Sequence, residues 1–288
     1  MGYHRKYGVF HCRISNSSPD ITSQKVIMMD AIEVLKIDVT HVKDKIVKGL
    51  REYTGKHGLK KGVIGISGGI DSAVALFISS NALEPENITA LIMPSRFTKK
   101  EDINDAIDVC RRAGVRFKII DISLIEEAFQ KTVSIKSRIS IGNRQARIRM
   151  VLLYSVANDL GGFVIGTGNK SELLTGYFTK YGDGGVDILP IGGLYKTQVR
   201  MLAKAFPIPP TIIEKKPSAG LWPGQTDEGE LGLSYETLDL ILYFLYDMGR
   251  NPGDVKNILG LDKEVDRVVE LLSKSGHKWE PPPIIDPF

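Results

Sequence analysis

Residues 65–72, Gly65-Ile66-Ser67-Gly68-Gly69-Ile70-Asp71-Ser72, carry the densest chemistry in the chain. They stand between a short apolar run and a stretch rich in Ala and Leu, the setting of a strand that turns into a helix. Glycines at 68 and 69 let the backbone turn sharply and approach an anion with no Cβ in the way. The following helix offers free N–H groups and the positive end of its dipole, and Ser67 and Ser72 add hydroxyl donors. Together these make a pyrophosphate cradle. No lysine follows the glycines, so this is not the GxxxxGKS/T loop, and the GxGxxG spacing is missing as well. Asp71 would repel phosphate unless a cation lay between them, and Mg²⁺ is the natural mediator. The plainer reading of Asp71 is a helix cap.

A fold must hold this loop at a strand end. Short buried strands read at 62–66, 88–93, 116–120 and 163–166, alternating with helices at 71–81, 99–113, 123–132 and 142–160. Val39, Val42, Ile46, Val47 and Leu50 mark an earlier helix that ends near Gly55 and Gly58. The alternation implies a mainly parallel sheet with helices on both faces, whose ligands bind at the carboxyl ends of the strands. Beyond Thr167 come long glycine-rich connections at 176–185 and 216–232, of the kind that form binding segments. Helices at 195–206, 235–248, 252–259 and 263–275 follow, and a proline-rich end closes the chain over 280–288.

With 288 residues, 42% hydrophobic and 25% charged, the chain has the mass for one large α/β domain and is excluded from the disordered class. No apolar run approaches the roughly eighteen residues of a membrane helix. The head has no secretory signal pattern. Cys12 and Cys110 form neither a disulfide framework nor a metal-ligand spacing, which fits a reducing cytoplasm. Residues 1–28 are polar and without periodicity, and are expected to be a disordered extension ahead of a single domain over 29–288. Arg5, Lys6, Arg13 and Lys25 against Asp20 place most of the net charge of +4 in that head. The body is nearly neutral and has no basic, aromatic-laced appendage for nucleic acid.

Ser67-Gly-Gly-Ile-Asp-Ser72 resembles the signature of the ATP pyrophosphatase superfamily, whose members cleave ATP between the α and β phosphates and transfer AMP to a substrate oxygen. Further motifs narrow the resemblance: Asn143-Arg144-Gln-Ala-Arg147-Ile-Arg149-Met150, Gly166-Thr167-Gly-Asn-Lys-Ser-Glu172, Gly176-Tyr-Phe-Thr-Lys180-Tyr-Gly182-Asp183-Gly184-Gly185 and Lys215-Lys-Pro217-Ser218-Ala. In this order they resemble the ammonia-dependent NAD⁺ synthetase family. The resemblance implies a Rossmann-like, adenine nucleotide alpha hydrolase-like fold: a mainly parallel five-stranded sheet, helices on both faces and a helical C-terminal end. It implies a ligase of the cytoplasm that amidates deamido-NAD⁺ to NAD⁺ with ammonia, the last step of NAD⁺ biosynthesis. The route is an adenylated nicotinate, with AMP and pyrophosphate released.

The same resemblance assigns residues. ATP contacts fall on Gly65, Ile66, Ser67, Gly68, Gly69, Ile70, Asp71, Ser72, Thr167, Lys196 and Ser218, and Mg²⁺ falls on Asp71 and Glu172. Ser218 stands where Thr is more usual, keeping the hydroxyl. Deamido-NAD⁺ contacts fall on Arg147, Lys180, Asp187, His277 and Lys278, with Trp279 following where a further basic residue is common. No residue is assigned as nucleophile, since activation of a carboxylate by adenylation needs placement and charge neutralisation. Read from spacing alone, Lys196, Arg200 and Lys204 recur as an exposed basic helix face would. Arg144 and Arg147 share one side of a nearly apolar helix, while Arg149 points elsewhere. That helix is a plausible interface element of the homodimer the family implies.

The 35 or so residues before the first helix are too few for a glutamine-hydrolysing domain, so free ammonia is the simplest nitrogen source, and a separate glutaminase subunit stays open. Two other readings compete. A tRNA-modifying member of the superfamily would want cysteines near the ATP loop, whereas Cys110 sits in a helix between strands and reads as core. A non-catalytic nucleotide-binding sensor would leave Glu172, Lys180 and Asp187 without use.

Overall fold

Val63 and Ile64 in the run before the cradle have no exposed surface, as a strand covered on both faces requires. The computed structural model describes residues 33–222 and 224–287. Four strands are present among them: β1 (Gly62–Gly65), β2 (Ile88–Ile92), β3 (Arg116–Ile119) and β4 (Phe163–Ile165). All pair in parallel, in the order β3-β2-β1-β4, with Gly62 opposite both Ile88 and Phe163.

The helices are α1 (Val39–His57), α2 (Ile70–Leu83), α3 (Lys100–Arg112), α4 (Ser123–Thr132), α5 (Arg138–Asp159), α6 (Lys170–Thr175) and α7 (Lys196–Ala203). After them come α8 (Pro210–Ile213), α9 (Asp227–Leu231), α10 (Tyr235–Leu242), α11 (Pro252–Leu259) and α12 (Asp262–Trp279). Because strand side chains alternate between faces, Ile64, Ala90 and Ile165 pack with α1, α2, α3 and α7. Val63, Leu91 and Val164 face the other way, onto Ile148 and Ala157 of α5. A separate cluster of Tyr195, Tyr235, Leu238, Ile241, Val265 and Val268 makes the helical C-terminal end. The helix after the cradle, α2, is buried from Ser72 to Ser80 without a break, which suits a helix that is apolar all round.

Four strands stand where five were expected. The place beside β4 is taken by a single parallel bridge, Ile165 to Ile188. The ladder cannot lengthen there, because Pro190 has no N–H to give and the Asp187 carboxylate takes the Val164 N–H at 2.7 Å. Smaller differences have local causes. The long helix begins at Arg138 rather than 142, where Ser137 caps the Ser140 N–H. The helix expected over 235–248 is α10 followed by a π-helical stretch, Tyr243–Asp247. Cys110 is fully buried in the core, and burial pushes its thiol up to about 12. The expected extension over 1–28, with Cys12, lies outside the described residues. No helix among the described residues is long and apolar enough to cross a membrane.

Asp239 on α10 joins the C-terminal helices to the sheet layer. It is fully buried, accepting from Ser171 Oγ of α6 at 2.5 Å and from the Thr197 N–H of α7 at 2.8 Å. Burial pushes its carboxyl up to about 6 despite those hydrogen bonds. The unfolded chain loses this proton near the ordinary aspartate value of about 4. Between these two values the native state therefore binds more protons than the unfolded one, and stability falls as pH rises. Asp239→Asn is expected to flatten the stability profile over that interval in urea denaturation, and an unchanged slope would count against this assignment.

Candidate active site

The chain lays β1, β2 and β3 outward in one direction and then returns to place β4 on the other side of β1. The carboxyl ends of β1 and β4 thus flank a topological switch point, the crevice where such sheets bind ligands. The loop after β1 is the glycine-rich cradle, and the loop after β4 runs through Thr167 into α6, which carries Glu172. A surface cavity of about 550 Å³ beside Phe77, Asn81, Arg112 and Phe206 lies at the far end of α2 from this crevice.

The cradle is built by its own serines. Ser72 Oγ accepts from the Ser67 N–H at 3.2 Å and donates to the Gly69 carbonyl at 2.9 Å, while Ser67 Oγ accepts from the Gly69 N–H at 3.2 Å. Gly68 has φ +80°, and a Cβ there would lie 2.2 Å from the Asp102 carbonyl oxygen of α3, so only glycine fits. Gly65 ends β1, while Ile66 and Ile70 point inward and are buried in the core. The first turn of α2 faces the crevice with no side-chain cap, leaving backbone donors for an anion.

Asp71, Glu172 and Lys196 converge. Lys196 is 2% exposed; its Nζ donates to Asp71 Oδ2 and lies 3.6 Å from Glu172 Oε1. Asn169 completes the group by donating to Asp71 Oδ1 at 2.9 Å and closing a reciprocal capping box with Glu172. Asp227 forms a further wall, accepting from Tyr177 and Tyr235 hydroxyls at 3.2 Å each. Burial alone would lower the Lys196 pKa, but Asp71 and Glu172 hold it above the ordinary lysine value. Burial, and then the Asp71 charge, push Glu172 up to about 8. Lys196 therefore departs from the exposed-face reading and turns toward the carboxylates. Arg200 does sit on an outer face, paired with Glu236 at 2.5 Å.

The expected deamido-NAD⁺ residues fall into two places. Arg147 donates to the Lys180 carbonyl at 3.3 Å; Lys180 Nζ reaches the His277 carbonyl and, at 3.1 Å, that of Glu280. Lys278 Nζ donates to the Gly176 and Phe178 carbonyls at 2.5 and 2.7 Å. The glycine-rich loop, α5 and the chain end thus form one group, with the His277 side chain exposed. Asp187 stands apart from it, its oxygens taken by the Val164 N–H and the Tyr154 hydroxyl. Arg147 is exposed, whereas Arg149 is drawn inward to the Met93 carbonyl at the end of β2. Thr167 is half-buried just past β4. Ser218 Oγ is turned into its own segment, donating to the Gln225 carbonyl at 2.8 Å.

Sequence reasoning missed Asn169, Asp227 and Lys215. An Asn three residues ahead of a Glu is a capping-box signal that could have found the first. Lys215 Nζ donates to the Gly68 carbonyl at 3.1 Å, and only tertiary contact reveals that.

Asp71 and Glu172 offer hard oxygen donors. Among the described residues no three His, Cys, Asp or Glu side chains group as a metal site, so an ion here would draw its other ligands from phosphate and water, as Mg²⁺ commonly does. The two carboxylates meet a single ammonium, Lys196. The donor set fits Mg²⁺.

The NAD synthase family model matches residues 42–282. The chain belongs to the NAD synthase family. It is 46% identical over 256 residues to an NH₃-dependent NAD⁺ synthetase of Saccharolobus solfataricus, covering 87% of this chain and 90% of that protein. A second such enzyme, from Hyperthermus butylicus, is 47% identical over 88% of this chain and 94% of its own. Among solved structures, an NMN synthetase from Francisella tularensis superposes with a TM-score of 0.77 at 35% identity, over 88% of this chain and all of that one. An NH₃-dependent NAD synthetase from Campylobacter jejuni does so at 0.74 and 32%, over 87% of this chain and all of its own. The parallel sheet and helical C-terminal end are therefore a family architecture.

Gly68→Ala forces a Cβ against the Asp102 carbonyl at a positive φ. Pyrophosphate affinity by isothermal titration is expected to drop by on the order of tenfold or more, with the far-UV circular dichroism of the sheet and helices kept. Retained affinity would show that the cradle tolerates a wider turn.

Proposed function

We infer that this chain is a ligase that amidates deamido-NAD⁺ to NAD⁺ with ammonia and ATP, as its family membership and its relatives at 44–47% identity support. A carboxylate is a poor acyl donor because oxide is a poor leaving group. The nicotinate carboxylate therefore attacks the α-phosphorus of ATP, expelling pyrophosphate, and ammonia then displaces AMP from the acyl adenylate. Neither step calls for a side-chain nucleophile. Both call for anions held still and neutralised.

The observation that carries the site assignment is the convergence of Asp71, Glu172 and Lys196 at the mouth of the Ser67–Ser72 cradle. The cradle takes the departing pyrophosphate on the uncapped backbone donors at the first turn of α2 and on the Ser67 hydroxyl, while the Ser72 hydroxyl holds the turn through the Gly69 carbonyl. Asp71 and Glu172 would hold Mg²⁺, which supplies charge neutralisation on the phosphates. Lys196 holds the two carboxylates together on the phosphate side of the crevice. Thr167 and Ser218 border the nucleotide. Arg147, Lys180, Lys278 and His277 form the deamido-NAD⁺ side, and Asp187 acts there by anchoring the base of the glycine-rich loop to β4.

Purified protein with ATP, Mg²⁺, ammonium and deamido-NAD⁺ is expected to yield NAD⁺, AMP and pyrophosphate in equal amounts; absence of NAD⁺ rejects the inference. Nicotinate mononucleotide, offered in parallel, tests the second reading favoured by the likeness to the Francisella tularensis protein, whose name makes it an NMN synthetase. Asp71→Asn should raise the Mg²⁺ needed for half-maximal turnover by on the order of tenfold or more. An unchanged Mg²⁺ dependence would remove Asp71 from the metal site.

The working form in this proposal is a cytoplasmic homodimer joined through α4 and α5. Leu124 and Ile139 are 79% and 66% exposed there, alongside exposed Phe129, Val133 and Val151, an apolar face of the kind a second copy covers. Sedimentation velocity should give a dimer, and Leu124→Glu with Ile139→Glu a monomer. A monomeric parent protein would overturn this.

A further inference from the structure

We propose that Lys215 is a positioning residue for the ATP cradle, locking the Gly68 turn against α3 and tying it to the segment that carries Ser218. The proposal rests on the ATP reading of the cradle. An ammonium has three N–H donors, and Lys215 Nζ has three partners: the Gly68 carbonyl at 3.1 Å, Asp102 Oδ1 at 2.9 Å and Asp105 Oδ2. Asp102 and Asp105 stand one turn apart on α3, so one lysine bridges a helix face and a loop carbonyl. The Gly68 peptide is thereby held between two constraints, the backbone of α3 packed where its Cβ would be and the ammonium on its oxygen.

The far end of the same segment reaches the carboxylate cluster. The Asp227 N–H donates to the Pro217 carbonyl at 3.1 Å, and the Asp227 side chain is held by Tyr177 and Tyr235 near Lys196. Between these ends Ser218 and Gln225 bond to each other's loop, and Gln225 Oε1 accepts from the Leu221 N–H at 2.8 Å. Lys215 is therefore pinned at the cradle and Asp227 at the carboxylates, the two halves of the crevice.

Solvent reaches this clamp, since the Lys215 side chain is 30% exposed and those of Asp102 and Asp105 are 29% and 21% exposed. Such partly exposed pairs add little to global stability. Their effect lies in fixing geometry, where a shift on the order of an ångström changes binding greatly. Removing the lysine also leaves two carboxylates unneutralised beside a loop that must accept phosphate.

The test uses the full chain with Lys215→Met and Lys215→Arg. For Lys215→Met the KM for ATP and the Kd for pyrophosphate are expected to rise by about tenfold or more, while the KM for deamido-NAD⁺ and the urea midpoint hold. Deuterium uptake without ligand should rise in peptides covering 65–72, which a lysine that merely touched phosphate would not cause. Lys215→Arg, which keeps charge on Asp102 and Asp105, should fall between the two, and serves alone if the methionine variant does not fold. Unchanged ATP and pyrophosphate binding, or unchanged exchange at 65–72, overturns the proposal. Because binding and exchange are read without turnover, a parent protein that binds ATP yet makes no NAD⁺ overturns the amidation reading and leaves this one standing.

Discussion

A single ammonium buried among carboxylates sets the terms for the rest of the molecule. Lys196 opens α7, has almost no contact with solvent, and stays charged because Asp71 and Glu172 outweigh the cost of burial. Removing one partner from such a buried pair typically costs about 3–5 kcal/mol, because the remaining charge is left without compensation. The elements around it must therefore arrive together. Asp71 comes from the helix after β1, Glu172 from the helix after β4, and Lys196 from a third helix that neither strand adjoins. Asp239 enforces this meeting from a fourth, bonding the first turns of both α6 and α7. The C-terminal helical end, whose core is a cluster of its own, is thus part of what shapes the crevice.

The second group of residues is organised by a different economy of donors. Lys180 and Lys278 spend their ammonium groups on backbone carbonyls of the chain end and the glycine-rich loop, so each fixes the other's segment. Gly176 has φ +66°, and a Cβ there would meet Ser275 of α12 at 2.7 Å, so the contact between loop and tail needs glycine. Arg147 is the contrast. Its guanidinium carries five donors, makes one hydrogen bond to the Lys180 carbonyl, and is exposed. Donors remain there for an anionic substrate group.

The cradle was legible in the sequence because its information is local: two glycines and two serines between an apolar run and a helix suffice to specify the turn. The sheet was legible for the same reason, since each strand is a short apolar run followed by a helix. What the sequence hid depends on contacts across long separations. Spacing alone does not distinguish Lys196 from Arg200 or Lys204; only the family resemblance singled it out, because its environment is made by residues 71, 172 and 227. Nor does any local signal show that the Asp187 carboxylate takes the place of a strand partner for Val164. The fifth strand failed for a legible reason, Pro190, that only gains meaning once the bridge at Ile188 is seen.

The two halves of the crevice have opposite charge, and that opposition determines what can bind. The end of α2 and the 67–72 backbone offer partial positive charge, and would take a free phosphate or pyrophosphate alone. On the other half, the Asp71 and Glu172 carboxyls meet one ammonium, Lys196, and the Asp71 charge stands against a bare phosphate. Asp71 belongs to both halves, being the second residue of α2 and a partner of Lys196. An anion in the cradle therefore lies beside that carboxylate as well as beside the helix end. Under the proposed function, that repulsion is what a cation carried in with the polyphosphate would relieve, and it follows from the placement of one aspartate at the junction.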